Sequence, residues 1–318
     1  MRDRLYLSTF LVGAGALLYV GRHLLERSAV VTWGLTFGGT TAAAVLGMAL
    51  YSVQFELRAS RHELARKEAE LNFALQVQQA LFPQRFPCDG GLEFAAVCVP
   101  ARGISGDYYD VMRLDNGRVV FAIADISGKG ISAAIIMSSL QAVSRTLAEG
   151  GLSPAEVCSK LNRYLHTITD ESRFATLFYA EWSPQEQHLS YVNAGHPAPI
   201  VSGCGGGRHL IEGGPPLGLF PDWKYCVGNA TLQPGDLIAL YSDGITEAGA
   251  QKEKEFGEAR LAALIAPDRH KPLAEIQERV LALAREWSAG EQEDDMTLLL
   301  VRVAERRSAS PGLIQEGS

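Results

Sequence analysis

Two long runs without a charged side chain lie near the start of the chain and restrict what its N-terminal part can become. Residues 5–21 and 29–53 contain no Asp, Glu, Lys or Arg, and only Arg22-His23-Leu24-Leu25-Glu26-Arg27-Ser28 lies between them. As helices rising 1.5 Å per residue, runs of this length match a hydrocarbon core about 30 Å thick. They read as two transmembrane helices rather than a cleaved signal peptide, because no small-residue cleavage site followed by a soluble domain comes before the second run. Arg2 and Arg4 before the first run, and Arg58, Arg61, Arg66 and Lys67 after the second, outnumber Arg22 and Arg27 in the loop, which puts both ends in the cytoplasm. Gly38-Gly39-Thr40-Thr41-Ala42-Ala43-Ala44 offers small residues for close helix packing. Residues 1–53 are therefore expected to be a two-span anchor in the cell membrane, contacting lipid through residues 5–53.

The chain changes character after residue 53. Residues 54–82 lack Gly and Pro and repeat Leu57, Leu64 and Leu71 at heptad spacing, while Glu63 and Lys67 form a favourable i,i+4 pair. This predicts a helical linker over 54–85, either a single stalk or a coiled coil that pairs two copies into a homodimer, stopped by Pro83. The net charge of −7 has the wrong sign for a protein that must neutralise many phosphates, so nucleic acid is not an expected partner. Five widely spaced cysteines without a C-x-x-C motif indicate neither a disulfide framework nor a zinc site, and suit a reducing compartment.

Residues 86–305 alternate apolar strand-like runs with amphipathic helices and read as one α+β domain. Strands are expected at Leu92–Val99, Val119–Ile126, 175–181, 189–193, Leu237–Tyr241 and Met296–Val303. Helices are expected through Ile136, Leu140, Val143 and Leu147, through Val157, Leu161 and Ile168, and through Leu273, Ile276, Val280 and Leu283. The second of these starts at Ser153-Pro154-Ala155-Glu156, a capping box with proline at the first helical position. Gly203-Cys204-Gly205-Gly206-Gly207 fits no phosphate-loop spacing and reads as a hairpin turn. The polar tail at 306–318 is expected to be disordered.

Four acidic segments recur beside apolar runs: Gly106-Asp107-Tyr108-Tyr109-Asp110, Ala124-Asp125-Ile126-Ser127-Gly128-Lys129-Gly130, Tyr241-Ser242-Asp243-Gly244 and Glu293-Asp294-Asp295-Met296-Thr297. Carboxylates at the edge of a core need a cation, since an unpaired buried charge costs several kcal/mol. Arg102 and Lys129 are too few to neutralise the set. Oxygen ligands without a neighbouring Cys or His pair favour Mg²⁺ or Mn²⁺, and two such ions could bind one phosphate and activate water. Each segment alone reads more readily as a strand-end turn with Asp capping its own backbone, and it is the recurrence of four that favours the cation.

Together with Phe174-Ala175-Thr176-Leu177, Asn193-Ala194-Gly195-His196-Pro197 and Ile245-Thr246-Glu247, which extends the Asp243 segment, these motifs resemble in order the series of the SpoIIE/RsbU-type serine phosphatases, a branch of the metal-dependent PPM (type-2C) protein phosphatases. The resemblance covers about residues 83–305. It implies a central antiparallel β-sandwich flanked by helices, here preceded by the two transmembrane helices and the stalk. It also implies two divalent cations, Mn²⁺ or Mg²⁺, with Asp107 and Asp125 as bridging ligands, the Ile126 carbonyl on one ion, and Asp243 and Asp294 on the other, Asp295 being the weaker of its pair. Asp107, Asp125, Asp243 and Asp294 would act catalytically through water, in keeping with the absence of a Cys-x5-Arg loop. The implied substrate is a phosphoserine or phosphothreonine protein, a STAS-type anti-sigma-factor antagonist in a partner-switching pathway.

Two departures stand out. Ser105 occupies a position where the family often has glycine, and no assured equivalent exists for the phosphate-holding arginine of the eukaryotic branch, which leaves Arg102, five residues before Asp107, as the substrate-binding expectation. His196 and Lys129 read as a hydrogen-bonded turn histidine and a solvated lysine. A catalytically silent phosphoprotein-binding membrane scaffold and a small-molecule phosphoester hydrolase are the alternative functions.

Overall fold

The computed structural model describes residues 2–24, 29–87, 90–101, 103–170, 172–203, 206–250, 254–288 and 292–304. The chain divides into two compact units, Met1–Glu70 and Leu71–Ser318. The first unit contains helix α1 (Arg2–Leu24) and most of helix α2 (Ala29–Leu81), whose last residues belong to the second unit. A β-carbon on Gly39 of α2 would lie 3.4 Å from Leu18 of α1, so the missing side chain lets the two helices approach. Val12, Leu17, Trp33, Phe37, Met48 and Tyr51 nevertheless point outward. Helix α2 ends two residues before Pro83, whose predecessor is disfavoured in helical conformation.

The second unit is built of two sheets. One has the order β1 (Leu92–Val99), β11 (Met296–Val303), β10 (Leu237–Tyr241), β6 (Ile200–Gly203) and β7 (Gly206–His209). The other runs β2 (Tyr108–Arg113), β3 (Val119–Ile126), β4 (Ala175–Ser183), β5 (His188–Ala194) and β8 (Gly213–Gly214), with β9 (Gly228–Thr231) also paired to β5. The six strands expected from the sequence form, and β6 and β7 make a hairpin with Gly203 opposite Gly206, as the glycine run suggested; Cys204 and Gly205 lie outside the described residues.

Period-2 alternation explains why β3 reads as an unbroken apolar run. Val119, Phe121 and Ile123 face the other sheet, where Leu299, Val301, Ile238 and Leu240 meet them, while Val120, Ala122, Ala124 and Ile126 face helices α3 (Ile131–Glu149) and α4 (Pro154–Ile168). On the far side, Leu298 and Leu300 of β11 pack against α6 (Glu258–Asp268) and α7 (Leu273–Trp287). Each fully buried Phe, Leu or Ile in this helix–sheet–sheet–helix stack contributes roughly 1.5–3 kcal/mol. Trp182 is enclosed between the sheets and its indole N–H donates to Gly90 O at 3.0 Å. Apolar length alone would let α3 cross a membrane, yet Ala133, Met137 and Leu140 are spent on this core. The expected capping box is present at α4: Ser153 N donates to Glu156 Oε2 at 2.9 Å and Glu156 N to Ser153 Oγ at 3.4 Å. The tail expected at 306–318 lies outside the described residues.

Candidate active site

Antiparallel pairing brings the acidic segments to one end of the sandwich. Tyr108 lies opposite Ala124 in the β2–β3 register, so Asp107, one residue earlier, faces Asp125. A β-carbon on Gly106 would stand 3.2 Å from Ile126 O and 3.8 Å from Asp125 Oδ1, which puts this glycine against the second acidic segment. In the other sheet Tyr241 of β10 pairs with Leu298 of β11, so the chain leaving β10 meets the chain entering β11. There Ser242 Oγ donates to Asp295 O at 3.0 Å and accepts from Thr297 N at 2.9 Å, and Asp243 opens the short helix α5 (Asp243–Thr246).

Asp295 joins the two halves. It accepts hydrogen bonds from Ala101 N at 2.7 Å, Ser105 Oγ at 2.7 Å and Gly106 N at 2.8 Å, so its charge fixes the turn that delivers Asp107. Gln78 grips the same turn through Nε2 to Ser105 O at 2.7 Å and through Oε1, which accepts from Ser105 N at 2.9 Å. Ser105 Oγ also accepts from Asp107 N at 2.9 Å. The serine that departs from the family pattern is thus a working part of the turn.

The electrostatics are those of crowded carboxylates with Lys129 as their nearby counterion among the described residues. Burial, then the Asp125 charge, holds the Asp107 carboxyl well above the usual carboxylate range. Burial, then Asp243 and Asp294, pushes Asp125 up to about 7, and burial, then Asp294, raises Asp243. Asp107 Oδ2 is buried without a hydrogen-bond partner. Asp294 is turned to Lys129, whose Nζ lies 2.7 Å from Oδ2, and among the described residues no three ligand-type side chains already close on one centre. An orphaned carboxylate oxygen among like charges fits a hard divalent cation.

Asp107, Asp125, Asp243, Asp294 and Asp295 are therefore brought together, with the Ile126 carbonyl beside them. Arg102 lies outside the described residues. Lys129 is half-exposed, as expected of a solvated lysine, and also spans from the Asp125 loop to Asp294 and to Glu293 O at 3.0 Å, since this acidic end offers it a charged partner. His196 is a hydrogen-bonded turn residue, its N–H donating to Asn193 Oδ1 and its Nδ1 lying 2.8 Å from Thr176 Oγ1; burial pushes its pKa down to about 3 and keeps the ring neutral. Sequence reasoning missed Gln78 and the bracing function of Asp295, because nothing local marks a glutamine 27 residues away as a partner of Ser105. Also unforeseen is the enclosed Asp110, which receives a bidentate pair from Arg145 at 2.6 and 2.7 Å and the Tyr108 hydroxyl at 3.0 Å, tying α3 to β2 behind the site.

Two sheets covered by helices, with acidic strand ends converging at one edge, define a protein phosphatase of the PP2C type. The family profile described as Stage II sporulation protein E (SpoIIE) matches residues 115–304, and the chain belongs to that family. Phosphoserine phosphatase RsbU of Bacillus subtilis (strain 168) is 33% identical over 259 residues, covering 80% of this chain and 75% of that protein. Among solved structures, the RsbU and RsbW domains of a Mycobacterium tuberculosis protein match at 26% identity with a TM-score of 0.60, over 67% of this chain and 60% of that one. The SiaA-PP2C domain of Pseudomonas aeruginosa shares the fold with a TM-score of 0.67 at 21% identity, over 75% of this chain and 98% of that one. The chain is accordingly a protein serine/threonine phosphatase of the RsbU/SpoIIE type.

Proposed function

We propose that the protein is a membrane-anchored, metal-dependent phosphatase that removes phosphate from serine or threonine of a STAS-type anti-sigma-factor antagonist. The observation that carries the metal reading is Asp107, enclosed, lacking a partner for Oδ2 and lying beside Asp125. In this reading Asp107, Asp125, the Ile126 carbonyl, Asp243 and Asp294 would hold two divalent cations. Bound there, a Mn²⁺ or Mg²⁺ pair supplies Lewis acidity toward phosphoryl oxygens and lowers the pKa of water for attack on phosphorus. The chain itself contributes position: Asp295, Ser105 and Gln78 fix the first ligand turn, and Ser242 ties the second pair of strands together.

The phosphoserine specificity named for the RsbU relative supports the substrate class, and the joining of RsbU and RsbW domains in the Mycobacterium protein supports a partner-switching setting. The outward apolar side chains of residues 11–53 and the flanking arginines support two membrane spans with both ends cytoplasmic. Leu57 and Leu64, exposed at heptad spacing, support pairing of two stalks. Residues 1–53, 54–85, 86–305 and 306–318 are then anchor, linker, phosphatase domain and tail. The test is hydrolysis by the full-length chain in liposomes containing Mn²⁺, with a serine-phosphorylated STAS domain, a phosphotyrosine peptide and a nucleotide as rival substrates. Preference for the STAS phosphoserine is expected. A faster nucleotide reaction would replace the substrate assignment with a small-molecule hydrolase, and binding without turnover would return the scaffold reading.

A further inference from the structure

Arg173 places a guanidinium beside the Asp125 loop at the acidic end of the sandwich. Arg173 precedes β4, and its neighbour Phe174 is laced to the Asp125 loop: Phe174 N donates to Ser127 Oγ at 2.8 Å, and Ser127 N to Phe174 O at 2.9 Å. The Arg173 side chain then runs over bare backbone. Its Nη1 lies 3.5 Å from where a β-carbon on Gly128 would stand, a glycine at φ 100°, where side chains are strained in any case. Nη1 donates to Ser132 Oγ at 3.1 Å in the first turn of α3. Ala133, the next residue, would touch a β-carbon on Gly106 at 3.4 Å, and that same position is 3.8 Å from Asp125 Oδ1. The guanidinium therefore lies against the loop that follows Asp125 and the first turn of α3.

Its neighbours are otherwise committed. Lys129 is paired with Asp294, and Arg145 is held by Asp110. Asp170, three residues before Arg173, is hydrogen-bonded to Ser172 N and Oγ and also feels the Arg173 charge, and Glu171 lies outside the described residues. Among the described residues, the neutral Ser132 hydroxyl is the side-chain partner that orients Arg173, and no carboxylate forms an ion pair with it. The turn of α3 beneath it begins at Gly130 without a side-chain cap, so the helix N-terminus adds positive potential to the same place. A planar fork with N–H groups to spare suits a phosphoryl group, which it can grip through two oxygens.

We propose that Arg173, oriented by Ser132, is the substrate-binding residue that takes hold of the phosphoryl group on the protein substrate. This rests on reading the site as one for phosphoserine hydrolysis. The test uses the full-length chain in detergent with Mn²⁺, p-nitrophenyl phosphate and a phosphoserine peptide as substrates, and inorganic phosphate as inhibitor and as titrant in calorimetry. Arg173→Ala is expected to raise KM for both substrates and the inhibition constant of phosphate by about tenfold or more, the loss of a charge-assisted bond, while kcat stays within about threefold. Mn²⁺ affinity and Tm should be unchanged, and Arg173→Lys should recover part of the loss. Unchanged KM and phosphate affinity, or a fall confined to kcat, overturns the assignment. If Arg173→Ala does not fold, Arg173→Lys, which keeps the charge and loses the fork, must still weaken phosphate at least about threefold, and an unchanged value overturns the proposal. Calorimetry reads phosphate binding even if the unsubstituted chain fails to turn over, so failure of the hydrolytic reading remains distinct from failure of the Arg173 assignment.

Discussion

Replacing Asp125 by Asn is expected to stabilise the metal-free domain while abolishing its activity. Burial and the Asp243 and Asp294 charges lift this carboxyl from 3.8 to about 7. A folded-state pKa above the unfolded one means that between those pH values the native chain binds a proton the unfolded chain has released, so this group's contribution to stability falls as pH rises through that window. At pH 8 the full cost is present. At 1.36 kcal/mol per pKa unit its ceiling is about 4 kcal/mol, and screening by the solvent that reaches one side of Asp125 leaves ~2 kcal/mol. For a unit of this size that corresponds to a rise in Tm of about 4–8 °C in Asp125→Asn at pH 8 with chelator, shrinking toward zero near pH 4. Scanning calorimetry of residues 71–318 across that range measures it. A lower Tm for the variant at pH 8, or a gain independent of pH, would refute the view that the carboxylates repel one another in the absence of a cation.

Further substitutions probe the bracing around the site. Asp295→Asn leaves one oxygen for three donors, so at least one of Ala101 N, Ser105 Oγ and Gly106 N loses its partner; a stability loss of ~1–3 kcal/mol and a fall in kcat of tenfold or more are expected in denaturation and phosphate-release assays. Gln78→Leu strands both backbone groups of Ser105 and is expected to weaken Mn²⁺ binding about tenfold by calorimetry. Gly244→Ala would push a β-carbon to 2.2 Å from Asp295 O, so a loss of ~3 kcal/mol or more, read as a fall in urea midpoint, is expected together with loss of activity. Ser153→Ala removes a helix cap remote in the chain from the acidic segments and should lower stability by ~1 kcal/mol at constant kcat/KM.

The parts of the fold that the sequence announced are those whose residues see a single environment. β3 and β11 are buried on both faces and therefore read as apolar runs, and α4 carries its own start signal in Ser153 and Glu156. β2 escaped notice because Asp110 sits inside it, a charge that only makes sense once Arg145, 35 residues on, is seen to neutralise it. β7 is a row of exposed residues, half of them glycine, with no pattern to read. Helix α6 was hidden by Pro267 near its end. The acidic segments were legible because hard-cation chemistry demands one residue type, repeated. Asp295, chemically identical to Asp294, shows the limit of that reasoning: which of two adjacent carboxylates turns to backbone donors depends on a loop almost 200 residues earlier.

The most direct test of the account is phosphate release from a serine-phosphorylated protein by residues 71–318, with Mn²⁺ or with chelator, beside Asp243→Asn prepared in parallel. Activity that requires the cation and disappears in the variant is predicted. Equal activity with chelator, or in Asp243→Asn, would contradict the assignment of the acidic end as a metal-dependent hydrolytic site.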